Sequence, residues 1–346
     1  MGRPVGQGSP VRTYIRGRVR SGPMKYRQLG NTELELSEIG LAVWPLSTEA
    51  WKGSDDEALA LVRKAYDLGV NVFDTADVDG HGKGEELLGK AFAGNRDMVV
   101  LATKVGYDLY NDPAANCVAG SRRYDADYVR YALDQSLARL GTAFVDILQL
   151  HHPTVDDLQD EALWAALDEL RTGGKVRYVG VALGPDLGYH DEGLVAMRKR
   201  NATTLSVRFN LFEQDPGRKF FTVALETNTG ILIRDPHANG ILDDTAKEPP
   251  QIRAGGYHPP RAEAWAREAI AKRAALEWIR KDGMTIGQAA LKVYLWEETV
   301  PSVLVETQDP AQLEEFCAAP EKRDFVREEI AELAEQYRRG FDVPRA

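Results

Sequence analysis

Residues 54–74 read SDDEALALVRKAYDLGVNVFD. Ser54 and Glu57 have the spacing of a capping box, and Leu59, Val62, Tyr66 and Gly69 recur at helical intervals, so a helix is expected to start at Ser54 and stop at Gly69. The VNVFD that follows is a short apolar run of the kind that a strand buried on both faces requires. Working outward, KGEELLGKAF (83–92) returns to a helical pattern and MVVLATK (98–104) reads as strand. DADYVRYALDQSLARLG (125–141) is helical, with Val129, Leu133, Leu137 and Leu140 on one side, and FVDILQL (144–150) is again strand. The series runs on through ALWAALDELRTGG, VRYVGVAL, EGLVAMRKR, TLSVRFN, GRKFFTVALETNTG and ILIRD to residue 235.

Such alternation demands a parallel sheet with helical crossovers, and its number of units favours a closed (β/α)8 TIM barrel over a small open sheet. Residues 236–262 break the pattern with five prolines and read as a loop over the C-terminal mouth of the barrel. Helical stretches around 263–281 and 285–297, a last strand near PSVLVE (301–306) and a closing helix within 323–339 complete the expectation.

The chain has 346 residues, 43% hydrophobic and 28% charged, with a net charge of −10. That charge argues against general nucleic-acid binding, and a mean hydropathy of −0.37 argues against a membrane span. Residues 1–23 carry Arg3, Arg12, Arg16, Arg18 and Arg20 and no acid, which reads as a disordered basic extension ahead of a single barrel domain over 24–346. Two cysteines, Cys117 and Cys317, cannot make a disulfide framework and suit a reducing, cytoplasmic setting.

GVNVFDTADVDGHGKGEELLGKAF (69–92), LATKVG, SLARLGTAFVDILQLHHP, GKVRYVGVAL, VRFNLFEQDP, RDPHANGIL and VPSVLVETQDPAQLEEF together resemble the aldo-keto reductases. The resemblance spans nearly everything after Met24. It implies a (β/α)8 barrel, an NADPH-dependent carbonyl reduction and an Asp, Tyr, Lys, His tetrad. Asp74, Lys104 and His151 match three of the four positions; the tyrosine position is Asp79. An aspartate has neither the reach of a phenol nor a pKa near 10. Tyr107 and Tyr110, in the loop after Lys104, are candidates to line the mouth or to replace that phenol. No zinc spacing accompanies His81, Asp79 and His151, so no metal is expected.

The cofactor positions that the resemblance implies are also altered. Where the family places Ser, Asn and Gln around the nicotinamide carboxamide, this chain has Ala182, Leu183 and Ser206. Where the family binds the adenosine 2′-phosphate with a basic residue, this chain has Glu306 and Gln308. Phe316 stands at the adenine-side Asn, and Ala42, Val43 and Ser47 replace the Gly-rich turn after the first strand.

The sequence therefore favours redox-neutral acid/base chemistry, an elimination, isomerisation or cyclisation of a small carbonyl or hydroxyl substrate, with no nicotinamide cofactor. In that reading Asp74 and Asp79 share Lys104, so that one carboxylate titrates near neutrality. The alternatives are a divergent NAD(P)H-dependent carbonyl reductase, with NADP or NAD bound, and a non-catalytic binding barrel.

Overall fold

A strand buried on both faces needs neighbours on both edges, and eight such strands satisfy one another only by closing into a ring. The computed structural model describes residues 24–112, 120–184, 188–244 and 263–342. A two-stranded antiparallel hairpin comes first, β1 (Tyr26–Gln28) and β2 (Glu35–Ser37). The barrel strands are β3 (Ile39–Ala42), β4 (Val72–Asp74), β5 (Val100–Val105), β6 (Val145–His151), β7 (Val176–Ala182), β8 (Thr204–Arg208), β9 (Gly230–Arg234) and β10 (Ser302–Val305). All neighbours are parallel, and β10 pairs with both β9 and β3 to close the ring. The basic segment 1–23 and the Pro-rich residues 245–262 lie outside the described residues.

Side-chain parity divides the strands. Val72, Val100, Ala102, Ile147, Leu232 and Leu304 point inward and form one apolar cluster with Leu29, Leu34 and Leu36 of the hairpin, which plugs one end of the barrel. The alternate residues, such as Phe73, Leu101, Leu148, Val181, Leu205 and Ile233, face outward into the larger cluster shared with the helices. The hairpin turn depends on Gly30, whose φ is +52° and where a Cβ would stand 2.1 Å from the Asn228 carbonyl oxygen. The sequence reading assigned no structure to this hairpin. Its strands have three residues each, too short for a clear period-2 signal.

The helix expected from Ser54 runs Asp55–Asp67, with Ser54 accepting from the Glu57 amide and Glu57 accepting from the Ser54 amide. The strand expected at 98–104 starts at Val100, because Arg96–Met98 forms a 3-10 turn. Beyond β9, Pro236–Asp244 is a series of tight turns that buries Ala238, Ile241 and Leu242 and stacks His237 on Phe316 at 4.1 Å. The region 263–281 resolves into a helix (Glu263–Ala274) and a 3-10 turn (Glu277–Ile279). A helix over Pro310–Cys317, capped by Asp309, went unassigned from sequence. Among the described residues no helix is long and apolar enough to cross a membrane.

A buried ion pair ties three elements together. Glu85, wholly buried at the start of the helix Lys83–Ala91, accepts from Thr103 Oγ1 on β5 at 2.5 Å and from Arg139 Nε on the helix Ala126–Leu140 at 2.7 Å. Replacing Glu85 by Ala strands the Arg139 guanidinium and is expected to cost about 3–5 kcal/mol. Urea denaturation measures this; a loss of less than about 1 kcal/mol would mark the pair as no stronger than an exposed one.

Candidate functional site

The inward parity of the strands, carried to their C-terminal ends, gathers Asp74, Lys104, His151, Ala182, Ser206, Arg208 and Arg234 around one mouth. Register fixes their neighbours: Asp74 pairs with Ala102, Lys104 with Gln149, His151 with Ala182, Ala182 with Ser206, and Arg208 with Arg234. This is the end of the barrel where active sites of this architecture sit.

The centre of the group is an ion pair. Lys104 Nζ donates to Asp74 Oδ2 at 2.5 Å and to the Thr75 carbonyl at 2.7 Å, with the lysine side chain 2% exposed. Gln149 Nε2 donates to the other carboxylate oxygen at 3.2 Å. Gln149, which the sequence reading passed over, thus holds Asp74 in place. Tyr124 donates to the His151 carbonyl at 2.5 Å, and Arg122 Nη1 donates to the His152 carbonyl at 2.9 Å, bracing the end of β6.

His151 is fully buried, and its pKa is held well below the ordinary 6.5, chiefly by burial and further by His152, Lys104, Arg234 and Arg122. Its ring is neutral at physiological pH. It can donate an N–H to a carbonyl oxygen without charging.

Among the described residues Lys104 makes no hydrogen bond or ion pair with Asp79. Lys104 is committed to Asp74 and Thr75, and Asp79 accepts from the Thr75 hydroxyl at 3.4 Å. The reason is local: Gly80, with φ +55° and a Cβ position only 1.9 Å from the Ser47 carbonyl oxygen, turns the chain sharply after Asp79 and packs it on the segment after β3. Asp77, wholly buried, has its carboxyl pushed up chiefly by burial and further by the negative charge of Glu85 and Asp79, with Arg139 acting the other way.

The two tyrosines after Lys104 separate. Tyr107 lies edge-on to His151 at 5.2 Å between ring centres, and its hydroxyl is 2.7 Å from His152 Nδ1. Tyr128 donates to the Tyr107 carbonyl and fixes the loop. Tyr110 turns away from the mouth: its hydroxyl accepts from Arg139 Nη2 at 3.0 Å, and burial raises its pKa to about 12.

Of the altered cofactor positions, Ser206 carries a buried Oγ with no partner, next to Ala182. Gln308 spends its amide on the Pro45 and Ala50 carbonyls, at 2.8 and 3.0 Å, and so clamps the turn after β3. Glu306 follows β10 at the inward parity and is half-buried. Leu183 offers its carbonyl to Arg234 Nη2 at 2.5 Å. Arg208, Arg234 and Gln149 were legible only as polar residues at inward positions on otherwise apolar strands, a signal that needs the barrel parity to be noticed. Among the described residues no group of three metal-ligating side chains occurs. A cleft of about 320 Å³ at the hairpin end, lined by Glu33, Arg96, Asp146 and Arg177, contains none of these side chains.

Two outcomes are expected. Lys104→Met leaves Asp74 buried with only Gln149, and should cost about 3–5 kcal/mol as well as activity, so urea denaturation of the variant should show a clear loss. His151 takes up its proton in the unfolded chain near pH 6.5 but not in the fold, so its contribution is intact above pH 6.5 and declines below it. The decline should approach about 1.4 kcal/mol per pH unit and disappear in His151→Gln; equal slopes in the two proteins would show that His151 is not buried neutral.

With this geometry in place, comparison with known proteins is informative. The model of the aldo/keto reductase family matches residues 38–338. An uncharacterised oxidoreductase of Bacillus subtilis strain 168 is 30% identical, over 90% of this chain and 95% of its own length. L-glyceraldehyde 3-phosphate reductase of Escherichia coli O157:H7 is 29% identical, over 91% and 92%. Among solved structures, an aldo-keto reductase of Bacillus halodurans in its holo form superposes with a TM-score of 0.75 at 26% identity, over 90% of this chain and 96% of that one. The whole-length match, the closed barrel and the Lys104–Asp74 pair beside His151 agree: the chain belongs to the aldo/keto reductase family.

Proposed function

We propose that this protein is an NAD(P)H-dependent reductase of a small carbonyl compound. The observation that carries the reading is the buried Lys104–Asp74 pair beside a neutral His151, in a chain related along its whole length to named reductases. The redox-neutral reading that the sequence favoured is less well supported than the reductase, since the named relatives are reductases and Lys104 donates to Asp74 and Thr75. The same holds for the expectation that no nicotinamide is bound.

The residues fit a nicotinamide in part. The orphaned Ser206 hydroxyl can meet the carboxamide, which Ala182 cannot. Glu306 repels a 2′-phosphate but can accept from a ribose hydroxyl, and the Gln308 amide is already occupied, so NADH is favoured over NADPH. Bound there, NADH supplies the hydride. The chain's own groups handle the oxygen. Lys104 places a fixed positive charge, and His151 an N–H, where charge develops on the carbonyl oxygen. The proton comes from Tyr107, whose ring packs edge-on against the His151 ring; its hydrogen-bonded partner His152 allows the proton to be restored.

The test is oxidation of NADH and NADPH with a panel of small aldehydes. Turnover with NADH preferred is expected, and Tyr107→Phe should lower kcat by at least about tenfold. Asp79→Tyr, which restores the family's phenol, should raise kcat. Absence of binding and turnover with either nucleotide would overturn the reading.

A further inference from the structure

Arg234 is a buried, strongly basic side chain at the barrel mouth for which the described residues provide no counter-charge. It is 6% exposed and ends β9 at an inward position. Among the described residues its guanidinium makes a single hydrogen bond, from Nη2 to the Leu183 carbonyl at 2.5 Å, and its buried Nε finds no acceptor. Asp235, next to it in the chain, and Glu213 serve its register partner: Arg208 Nε lies 3.0 Å from Asp235 Oδ2 and 3.6 Å from Glu213 Oε2. Lys104 has taken Asp74. A buried guanidinium is retained at a cost unless an anion completes it, and its planar fork suits carboxylate or phosphate oxygens. The orphaned Ser206 hydroxyl stands one strand away on the same inward face.

We propose that Arg234 binds an anionic group of the substrate, a carboxylate or phosphate carried on the same small molecule as the reacting carbonyl. The inference rests on the reductase reading for its substrate but not for the anion site itself. Strand register places His151 beside Ala182, Ala182 beside Ser206 and Arg208 beside Arg234, so an anion held by Arg234 lies at the same mouth as the carbonyl-polarising groups. The same chemistry is offered by the pyrophosphate of a dinucleotide, and the experiment separates the two.

Succinic semialdehyde and butyraldehyde have the same chain length and differ in charge. Wild-type protein is expected to favour the carboxylated aldehyde in kcat/KM, and Arg234→Met to lower that preference ratio by at least about tenfold, chiefly through KM, with Arg234→Lys between the two. A ratio unchanged by Arg234→Met, with a raised KM for the nucleotide instead, would assign Arg234 to the cofactor and overturn the proposal. Should no aldehyde be reduced, calorimetry with oxalate and with inorganic phosphate still tests the site. Binding by wild type that is lost in Arg234→Met supports it, and binding equal in both, or absent from both, overturns it. Replacing an unpaired buried cation by Met is compatible with folding, which a thermal melt of the variant verifies.

Discussion

The closed ring of parallel strands imposes one constraint on everything else: every second side chain of every strand must share a narrow interior with those of seven others. At the hairpin end that interior is filled by Leu29, Leu34, Leu36, Val72, Val100, Ile147, Leu232 and Leu304. Toward the other end the same parity cannot stay apolar, because Asp74, Lys104, Gln149, His151, Thr204, Ser206, Arg208 and Arg234 occupy the next inward positions. The apolar plug supplies the stability that lets these polar groups remain buried, and their mutual satisfaction or lack of it defines the chemistry.

Charge pairing at the mouth is uneven in a way that is chemically useful. Lys104 with Asp74, and Arg208 with Asp235 and Glu213, are closed pairs. Arg234 and the hydroxyl of Ser206 are left open. The surplus of positive charge helps to hold His151 neutral, so the imidazole donates a hydrogen bond in place of carrying a charge.

Asp79 illustrates how a substitution at a family position is read differently once its surroundings are known. In sequence it stands where the proton-donating phenol is expected, and it invites the idea of two carboxylates sharing one lysine. In the fold Asp79 accepts from Thr75 ahead of the turn at Gly80, and the carboxyl of the segment that burial pushes up is Asp77, held among Glu85 and Arg139. Tyr107 reaches the site from the next strand's loop, while Tyr110, three residues on, faces the Glu85–Arg139 pair. Two tyrosines in one loop have different fates because the loop turns between them.

The sequence by itself determined the barrel, through the repeated alternation of short apolar runs and capped amphipathic helices, and it placed Asp74, Lys104 and His151 at strand ends. Those features are local: a capping box at Ser54 or a run such as VNVFD carries its meaning within a few residues. Tertiary structure alone decided which carboxylate owns Lys104, which tyrosine faces His151, and that Arg234 lacks a partner. Each of these depends on register between strands distant in the chain, and on the direction of a turn set by contact with a neighbouring segment. A one-dimensional pattern carries neither, because burial and pairing of a charge are properties of everything packed around it.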